Sequence, residues 1–299
     1  MILIACLLWI HGSTLLFAQN NFLSSRDAYL GQQPPNDTPK VFAPGMLAAP
    51  GAFTDDRIAV SPDGREIFYC TNTTWMNNEQ LKIMHVKFEG MKWSSPEMLN
   101  QHYNTPTFSV DGKKLFFAGT DGEVWESMHS KEGWTAPSLF LKRNYELYDF
   151  TPTLSGNYYA ASNGTWGKMA DYNAWDISRL SADKSDTTIQ TLGPPVNTPG
   201  FDGDFYIAPD ESYLIISNKE TKDFECELAI SFRKHDRRWT APLSLGTLIN
   251  DGPAHRWGEY VSPDGKYLFY TKGTSEKDCA IYWVRFDNLL KKLKKSVNP

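Results

Sequence analysis

Residues 259–270 read EYVSPDGKYLFY, and residues 58–69 repeat the pattern as IAVSPDGREIFY. Three further copies read PTFSVDGKKLFF at 106–117, PTLSGNYYA at 152–160 and FYIAPDESYLII at 205–216. In each copy, apolar and aromatic residues flank a short polar turn. In such turns proline presets the backbone angle φ, aspartate bonds back to the backbone, and glycine accepts a positive φ. Each copy therefore predicts a strand, a tight turn and a second strand.

The spacing of the copies sets the size of the repeating unit. The turns are 46 to 54 residues apart, as measured between Asp63, Asp111, Asn157, Asp210 and Asp264. A third β-rich stretch follows each hairpin, at 81–88, 123–128, 174–180, 227–232 and 280–286. A fourth stretch carries Trp-x-x-Pro at Trp93, Trp134 and Trp239 and is weaker at 192–195. Four short antiparallel strands in a unit of this length predict one blade of a β-propeller.

The repeated Ser-Pro-Asp-Gly-Lys turn resembles the TolB-type (WD-like) propeller repeats of bacterial envelope proteins. The resemblance covers about residues 41–287 and implies an all-β fold whose role is interaction in the envelope. The fifth unit lacks its outer strand, whereas VFAPGML at 41–47 matches WTAPLSL at 239–245. We therefore predict a single β-propeller of five four-stranded blades, in which the N-terminal strand completes the last blade. A ring of six blades, as in TolB itself, would require a repeat that the sequence does not contain.

The two ends of the chain differ from the repeats. Residues 1–18 are mostly apolar and predict a signal peptide cleaved after Ala18, although a basic start is missing. A lipoprotein anchor at Cys6 is the less favoured interpretation, and the apolar run is too short to span a membrane. We expect a flexible polar tether at 19–40 and a short helical tail at 288–299. These features predict a periplasmic or secreted protein.

Composition excludes several classes of function. The 299 residues would by length alone suggest two domains, but the repeats favour one ring. With 30 basic and 35 acidic residues the net charge is −5, so nucleic acid is a poor partner. We expect a monomer without a cofactor. The four cysteines show no CxxC spacing and no neighbouring pair of histidines, so we predict no metal site. Cys226 and Cys279 occupy comparable places; a disulfide is possible, and free buried thiols are favoured.

In propellers of this kind the first strand of each blade lines the central channel. The loops before it, and those between the second and third strands, open on one face, where a rigid scaffold positions binding residues. The turn aspartates belong to the other face and are expected to be structural. Asp and Asn side chains at the open mouth can also act as turn caps, which is the competing interpretation. The candidate ligand-binding residues are Asp56, Arg57, Trp75, Asn104, Asp149, Trp166, Tyr172, Asp204, His255, Arg256, Trp257 and Glu259.

The sequence predicts the function less directly than it predicts the fold. No Gly-x-Ser-x-Gly, phosphate-loop or His-Glu-x-x-His motif occurs. Tryptophan beside polar side chains suits a sugar, because the ring covers its apolar face. We therefore predict an exported, non-catalytic propeller that binds a saccharide, a peptide or an envelope protein. The alternative is a glycosidase or lyase that uses Asp56, Asp149 and Glu259 as acid and base, which a glycosidase would hold roughly 5–9.5 Å apart.

Overall fold

The computed structural model describes residues 22–75, 80–101, 103–164, 175–181, 183 and 188–297. The predicted signal peptide therefore lies outside the described residues. Within them the chain forms five antiparallel sheets, one for each predicted repeat. This arrangement confirms the all-β fold and the count of five blades.

In every blade the first three strands follow in chain order from the channel outward, and the fifth blade takes its outer strand from the N-terminal end of the described chain. The innermost strands are β2 (Phe53–Val60), β7 (Asn104–Phe108), β12 (Tyr148–Pro152), β16 (Phe205–Ile207) and β20 (His255–Val261). The second strands are β3 (Glu66–Asn72), β8 (Lys114–Ala118), β13 (Tyr158–Ser162), β17 (Tyr213–Asn218) and β21 (Tyr267–Gly273). The third strands are β4 (Lys82–Glu89), β9 (Glu123–Ser130), β14 (Asp176–Leu180), β18 (Glu227–Phe232) and β22 (Ala280–Arg285). The outer edges are β1 (Lys40–Val41), β5 (Lys92–Trp93), β6 (Glu97–Gln101), β10 (Gly133–Trp134), β11 (Ser138–Lys142), β15 (Ile189–Thr191) and β19 (Leu243–Ser244).

The ring closes through its innermost and its N-terminal strands. Strand β2 contacts β7 and β20, β12 contacts β7 and β16, and β16 contacts β20, so the first strands surround one axis. Strand β1 pairs antiparallel with β22, with Lys40 opposite Trp283 and Val41 opposite Tyr282. The Phe42 N–H extends this pairing by donating to the Ile281 carbonyl at 2.8 Å. The N-terminal strand thus completes the fifth blade, as predicted, and removes a free sheet edge.

The aspartates of the Pro-Asp-Gly turns accept hydrogen bonds within their own hairpins. Ser61 Oγ donates to Asp63 Oδ1 at 2.6 Å, and the Arg65 N–H donates to the same oxygen at 3.1 Å. The same two bonds recur at Asp111 and at Asp264. The turn aspartates are therefore occupied in holding the hairpins together.

The segment expected to be a flexible tether packs on the ring over its described part. Tyr29, in the short left-handed turn α1 (Ala28–Gly31), is 2% exposed. Its ring lies 5.3 Å from that of Tyr267 and 5.6 Å from that of Trp283, between ring centres. Phe22 and Leu23 are buried as well. The expectation missed these large apolar side chains because polar residues and prolines separate them.

The C-terminal tail forms the predicted helix, α2 (Asp287–Val297). Its leucines, Leu289, Leu290 and Leu293, pack against the core of the fourth and fifth blades. Its four lysines are exposed. No helix in the described part of the chain is long and apolar enough to cross a bilayer.

Candidate functional site

One face of the ring carries the starts of the first strands and the ends of the second strands. In the first blade Phe53 lies opposite Asn72, and in the fifth blade His255 lies opposite Gly273. The loops between the second and third strands therefore meet the channel on this face, as predicted. We call this face the mouth.

The first strands bend where they line the channel. Their pairing register shifts in four of the five blades, and a residue with positive φ stands at each shift: Asp56, Thr105, Asp149 and Gly258. Such β-bulges turn the strand and re-aim its side chains. Asp56 here accepts the Thr105 N–H at 3.2 Å, and Asp149 accepts the Phe205 N–H at 3.1 Å. Each of these carboxylates links its own blade to the next blade.

Arg57 connects several blades at the channel. Its Nη1 donates to the hydroxyls of Thr107 and Thr151, both at 3.2 Å. Its Nη2 lies 3.0 Å from Asp149 Oδ2 and also donates to the Phe205 carbonyl. One buried guanidinium thus joins the first four blades.

A second buried arginine, Arg256, organises the junction of the fourth and fifth blades. Its guanidinium donates to five backbone carbonyls, those of Cys226, Ile249, Asp251, Gly252 and Ala254. Beside it, Ser217 Oγ lies within hydrogen-bond distance of both Glu259 Oε1, at 2.8 Å, and the Arg256 carbonyl. Both side chains, Arg256 and Glu259, are therefore held within the ring.

The carboxyls of the channel are more basic than usual because they are buried. Burial raises the pKa of Asp149 to about 6, although the Arg57 guanidinium opposes the shift. Burial raises the pKa of Glu259 to about 8. The pKa values of Asp56 and Asp204 are also raised, by burial first and by the charge of Asp149 second. Carboxyls from four blades therefore interact across the channel.

Aromatic side chains form the rim of the mouth between the fourth, fifth and first blades. The rings of His255 and Trp257 stack with centres 4.2 Å apart. Trp75 stands edge-on to Trp257 at 5.9 Å, and Phe224 lies 5.7 Å from His255. Trp257 Nε1 donates to Asp55 at 3.2 Å, and burial raises the pKa of Asp55 to about 6. Trp75, Phe224 and His255 are half-buried, so this aromatic rim offers ring surface beside polar atoms.

The structure separates the candidate residues into two groups. Six of them are no more than 5% exposed. Arg256 lies at the junction of the fourth and fifth blades, and the other five lie at the channel: Asp56, Arg57, Asp149, Asp204 and Glu259. Trp75, His255 and Trp257 belong to the rim, and Asn104 is half-buried at the start of β7. Trp166 and Tyr172 lie outside the described residues. A ligand at the mouth therefore meets the rim before it meets the channel carboxyls.

Some residues of the mouth escaped the sequence analysis. Glu220, Phe224 and Cys226 belong to the loop between β17 and β18, which carries no tryptophan and no motif. Cys70, Cys226 and Cys279 are free and buried, which confirms free thiols and excludes the Cys226–Cys279 disulfide. Burial lowers the pKa of His255 to about 4, so its imidazole is neutral at neutral pH.

A groove away from the mouth also escaped prediction. It has a volume of about 620 Å³ and lies between the third and fourth blades. Its lining is basic, with Arg179, Arg233, Lys234, Arg237 and Arg238. Three of these side chains are engaged by neighbours: Arg233 pairs with Glu211, Arg238 with Asp236, and Arg179 donates to Gln190.

Comparisons with known proteins concern the fold. No family model and no curated protein sequence matches the chain. Among solved structures, TolB from Acinetobacter baumannii is 13% identical over 76% of this chain and 53% of its own, with a TM-score of 0.46. A putative TolB from Agrobacterium tumefaciens is 13% identical over 78% of this chain and 75% of its own, with a TM-score of 0.44. The periplasmic gluconolactonase of Pseudomonas aeruginosa is 13% identical over 73% and 64%, with a TM-score of 0.41.

This chain therefore spans about half the length of the Acinetobacter TolB. The class that the structure defines is a five-bladed β-propeller, and TolB proteins are among the structures similar to it. Similarity at this level identifies no ligand or activity.

Proposed function

We propose that the protein is an exported, monomeric binding module that holds a saccharide at the aromatic rim of its mouth. The observation that carries the proposal is the cluster of Trp75, Phe224 and His255, half-buried around the buried Trp257. Aromatic faces cover the apolar side of a sugar ring, while nearby polar atoms take its hydroxyls. Asp55, which accepts the Trp257 Nε1–H, places carboxylate oxygens at the edge of this ring.

Burial of the channel carboxyls favours binding over catalysis. Asp149 and Glu259 are both 0% exposed, and each keeps one oxygen on a partner: the Phe205 N–H for Asp149 and the Ser217 hydroxyl for Glu259. A general acid must reach the proton acceptor of its substrate within hydrogen-bond distance. A sugar resting on the rim does not reach these oxygens unless the channel opens.

The catalytic alternative rests on the raised pKa values. A carboxyl with a pKa near neutrality suits a general acid, and Glu259 at about 8 and Asp149 at about 6 have this property. With Asp56, these groups come from three blades, and the charges of Asp56 and Glu259 both interact with that of Asp149. The two functions predict different products, so one experiment separates them.

The experiment is a glycan-array screen of the purified protein, with reducing-sugar release measured on every glycan that binds. Binding without release supports the module. Release of reducing sugar that is lost in the Glu259→Gln variant would show that the protein is an enzyme and not a binding module. If no glycan binds, the saccharide is excluded, and a peptide or envelope protein becomes the ligand to test.

The rim itself is tested by Trp75→Ala in a calorimetric titration with the best glycan. Loss of a stacking ring should weaken binding about tenfold, since an aromatic contact contributes roughly 0.5–1.5 kcal/mol beyond its buried area. The matched control is Trp93→Ala, because Trp93 is a half-buried tryptophan at the outer edge of the first blade. Equal affinity of the Trp75→Ala protein would move the binding surface away from the rim.

A further inference from the structure

Three side chains with different donor atoms meet on the mouth between the fourth and fifth blades. Glu220 and Cys226 lie at the two ends of a tight turn, in which the Phe224 N–H donates to the Thr221 carbonyl at 2.9 Å. His255 is the first residue of β20. One carboxylate oxygen, one sulfur and one imidazole nitrogen from these residues all lie within 4.8 Å of one another.

The backbone holds these three residues in place. The Cys226 N–H donates to the Ala254 carbonyl at 3.0 Å, next to His255 in the chain. The Arg256 side chain donates to the Cys226 carbonyl at 2.8 Å. The loop of the fourth blade is thus fixed to the first strand of the fifth blade at the position of the cluster.

Two of the donor atoms lack a partner. Glu220 Oε2 and His255 Nε2 are buried and have no hydrogen-bond partner among the described residues. They lie 3.9 Å apart, and the Glu220 side chain is only 5% exposed. Buried polar atoms are nearly always satisfied, so an unpartnered carboxylate oxygen that faces an unpartnered imidazole nitrogen points to a bound ion.

We propose that Glu220, Cys226 and His255 bind a zinc ion. Thiolate, imidazole and carboxylate together are zinc ligands, whereas calcium and magnesium prefer oxygen alone. In a tetrahedral site with bond lengths near 2.1 Å, the nitrogen and oxygen ligands stand about 3.4 Å apart. Closing the 3.9 Å between Glu220 Oε2 and His255 Nε2 to that value requires a movement of about half an ångström. The distances from the Cys226 sulfur, at most 4.8 Å, must close to about 3.6 Å. Three protein ligands leave a fourth position open to water or to a ligand atom at the mouth.

The surroundings of Cys226 accommodate the thiolate. The thiol donates to the Arg256 carbonyl at 3.0 Å and accepts the Arg256 N–H at 3.2 Å. On binding, the thiol proton passes to solvent and the Zn–S bond takes its place. The Arg256 carbonyl keeps its hydrogen bond from Ser217 Oγ, and the Arg256 N–H still donates to the sulfur. The zinc site shares His255 with the aromatic rim. Its test needs no saccharide, so the two proposals can fail separately.

The test is calorimetric titration of the chelator-treated full-length protein with zinc chloride, followed by cobalt(II) substitution. We expect one equivalent of zinc, no comparable binding of magnesium, and a sulfur-to-cobalt charge-transfer band. Cys226→Ser should abolish that band. Glu220→Gln should weaken zinc binding by at least about tenfold, the lower end of the effect of even indirect ligand partners.

Two controls carry the same chemistry outside the cluster. Cys70→Ala removes another buried thiol, and His129→Gln removes a half-exposed histidine of the second blade. Both should bind zinc as the unaltered protein does. A folded protein that takes up no zinc would overturn the site. Zinc binding that is unchanged in Glu220→Gln and Cys226→Ser would also overturn the site, provided that melting curves show both variants to be folded.

Discussion

Arg57 of the first blade and Asp149 of the third blade form a buried ion pair, with 3.0 Å between Nη2 and Oδ2. Both side chains are almost fully buried, and the same guanidinium also bonds to the second and fourth blades. The residues that line the channel therefore hold the ring together.

Arg57→Met should destabilise the protein by about 3–5 kcal/mol, because it leaves the Asp149 carboxylate buried without its counter-ion. Chemical denaturation measures this change. Arg238→Met is the control, since Arg238 pairs with Asp236 on the surface and exposed pairs contribute about 1 kcal/mol or less. A cost below about 1 kcal/mol for Arg57→Met would show that the channel pair does not support the ring.

Glu259 should make stability fall as pH rises. Its folded-state pKa of about 8 lies above its ordinary value of 4.5, so the unfolded chain releases the proton first. The contribution of the protonated group is complete below pH 4.5 and is lost progressively between about 4.5 and 8.

Glu259→Gln removes this effect. The free energy of unfolding of the variant, relative to that of the unaltered protein, should increase by more than about 2 kcal/mol between pH 5 and pH 8. Denaturation series at several pH values measure the difference. Glu97→Gln serves as the control for removing an exposed carboxyl. A difference that stays constant with pH would contradict the burial of a protonated Glu259.

Gly258 tests the closing junction between the fifth and first blades. An added Cβ would lie 2.5 Å from the carbonyl carbon of Asp56, and φ is +65°. Gly265 has a similar φ of +70° but open space around it. Gly265→Ala should cost about 1–2 kcal/mol for the backbone conformation alone, and Gly258→Ala should cost at least 2 kcal/mol more. Equal melting temperatures for the two variants would argue against the close approach of the blades.

The blades could be predicted from sequence because each hairpin is local: strand, turn and strand lie within twelve residues of one another. Ring closure was also predictable, since the motif at 41–47 matches the outer strand of the fourth blade. The partners of Arg57 were not, because they are 50, 94 and 148 residues away and meet only when the ring closes. For the same reason, the spacing of Glu220, Cys226 and His255 in the sequence did not predict their proximity, which arises only in the folded ring.

The packed segment before β1 changes one expectation about stability. From the sequence, deleting 41–48 should destabilise far more than deleting 19–40, because only the former completes a blade. The burial of Tyr29 against Tyr267 and Trp283 makes the earlier segment part of the core as well.

Tyr29→Ala should therefore cost about 3–5 kcal/mol, as for other large-to-small changes at buried aromatic sites. Tyr29→Phe is the matched control, since the hydroxyl makes one long bond to Asp264, at 3.3 Å. Thermal denaturation of both variants distinguishes a packed segment from a loose one. A Tyr29→Ala protein as stable as the Phe variant would restore the flexible tether.

The most direct test of the proposed function is a crystal structure of the protein with its tightest glycan. We expect a sugar ring packed on Trp75 or Phe224 beside His255, with its hydroxyls toward Asp55 and the channel carboxyls undisturbed. A glycan bound in the basic groove between the third and fourth blades, or one whose glycosidic oxygen contacts Glu259 and Asp149, would contradict it.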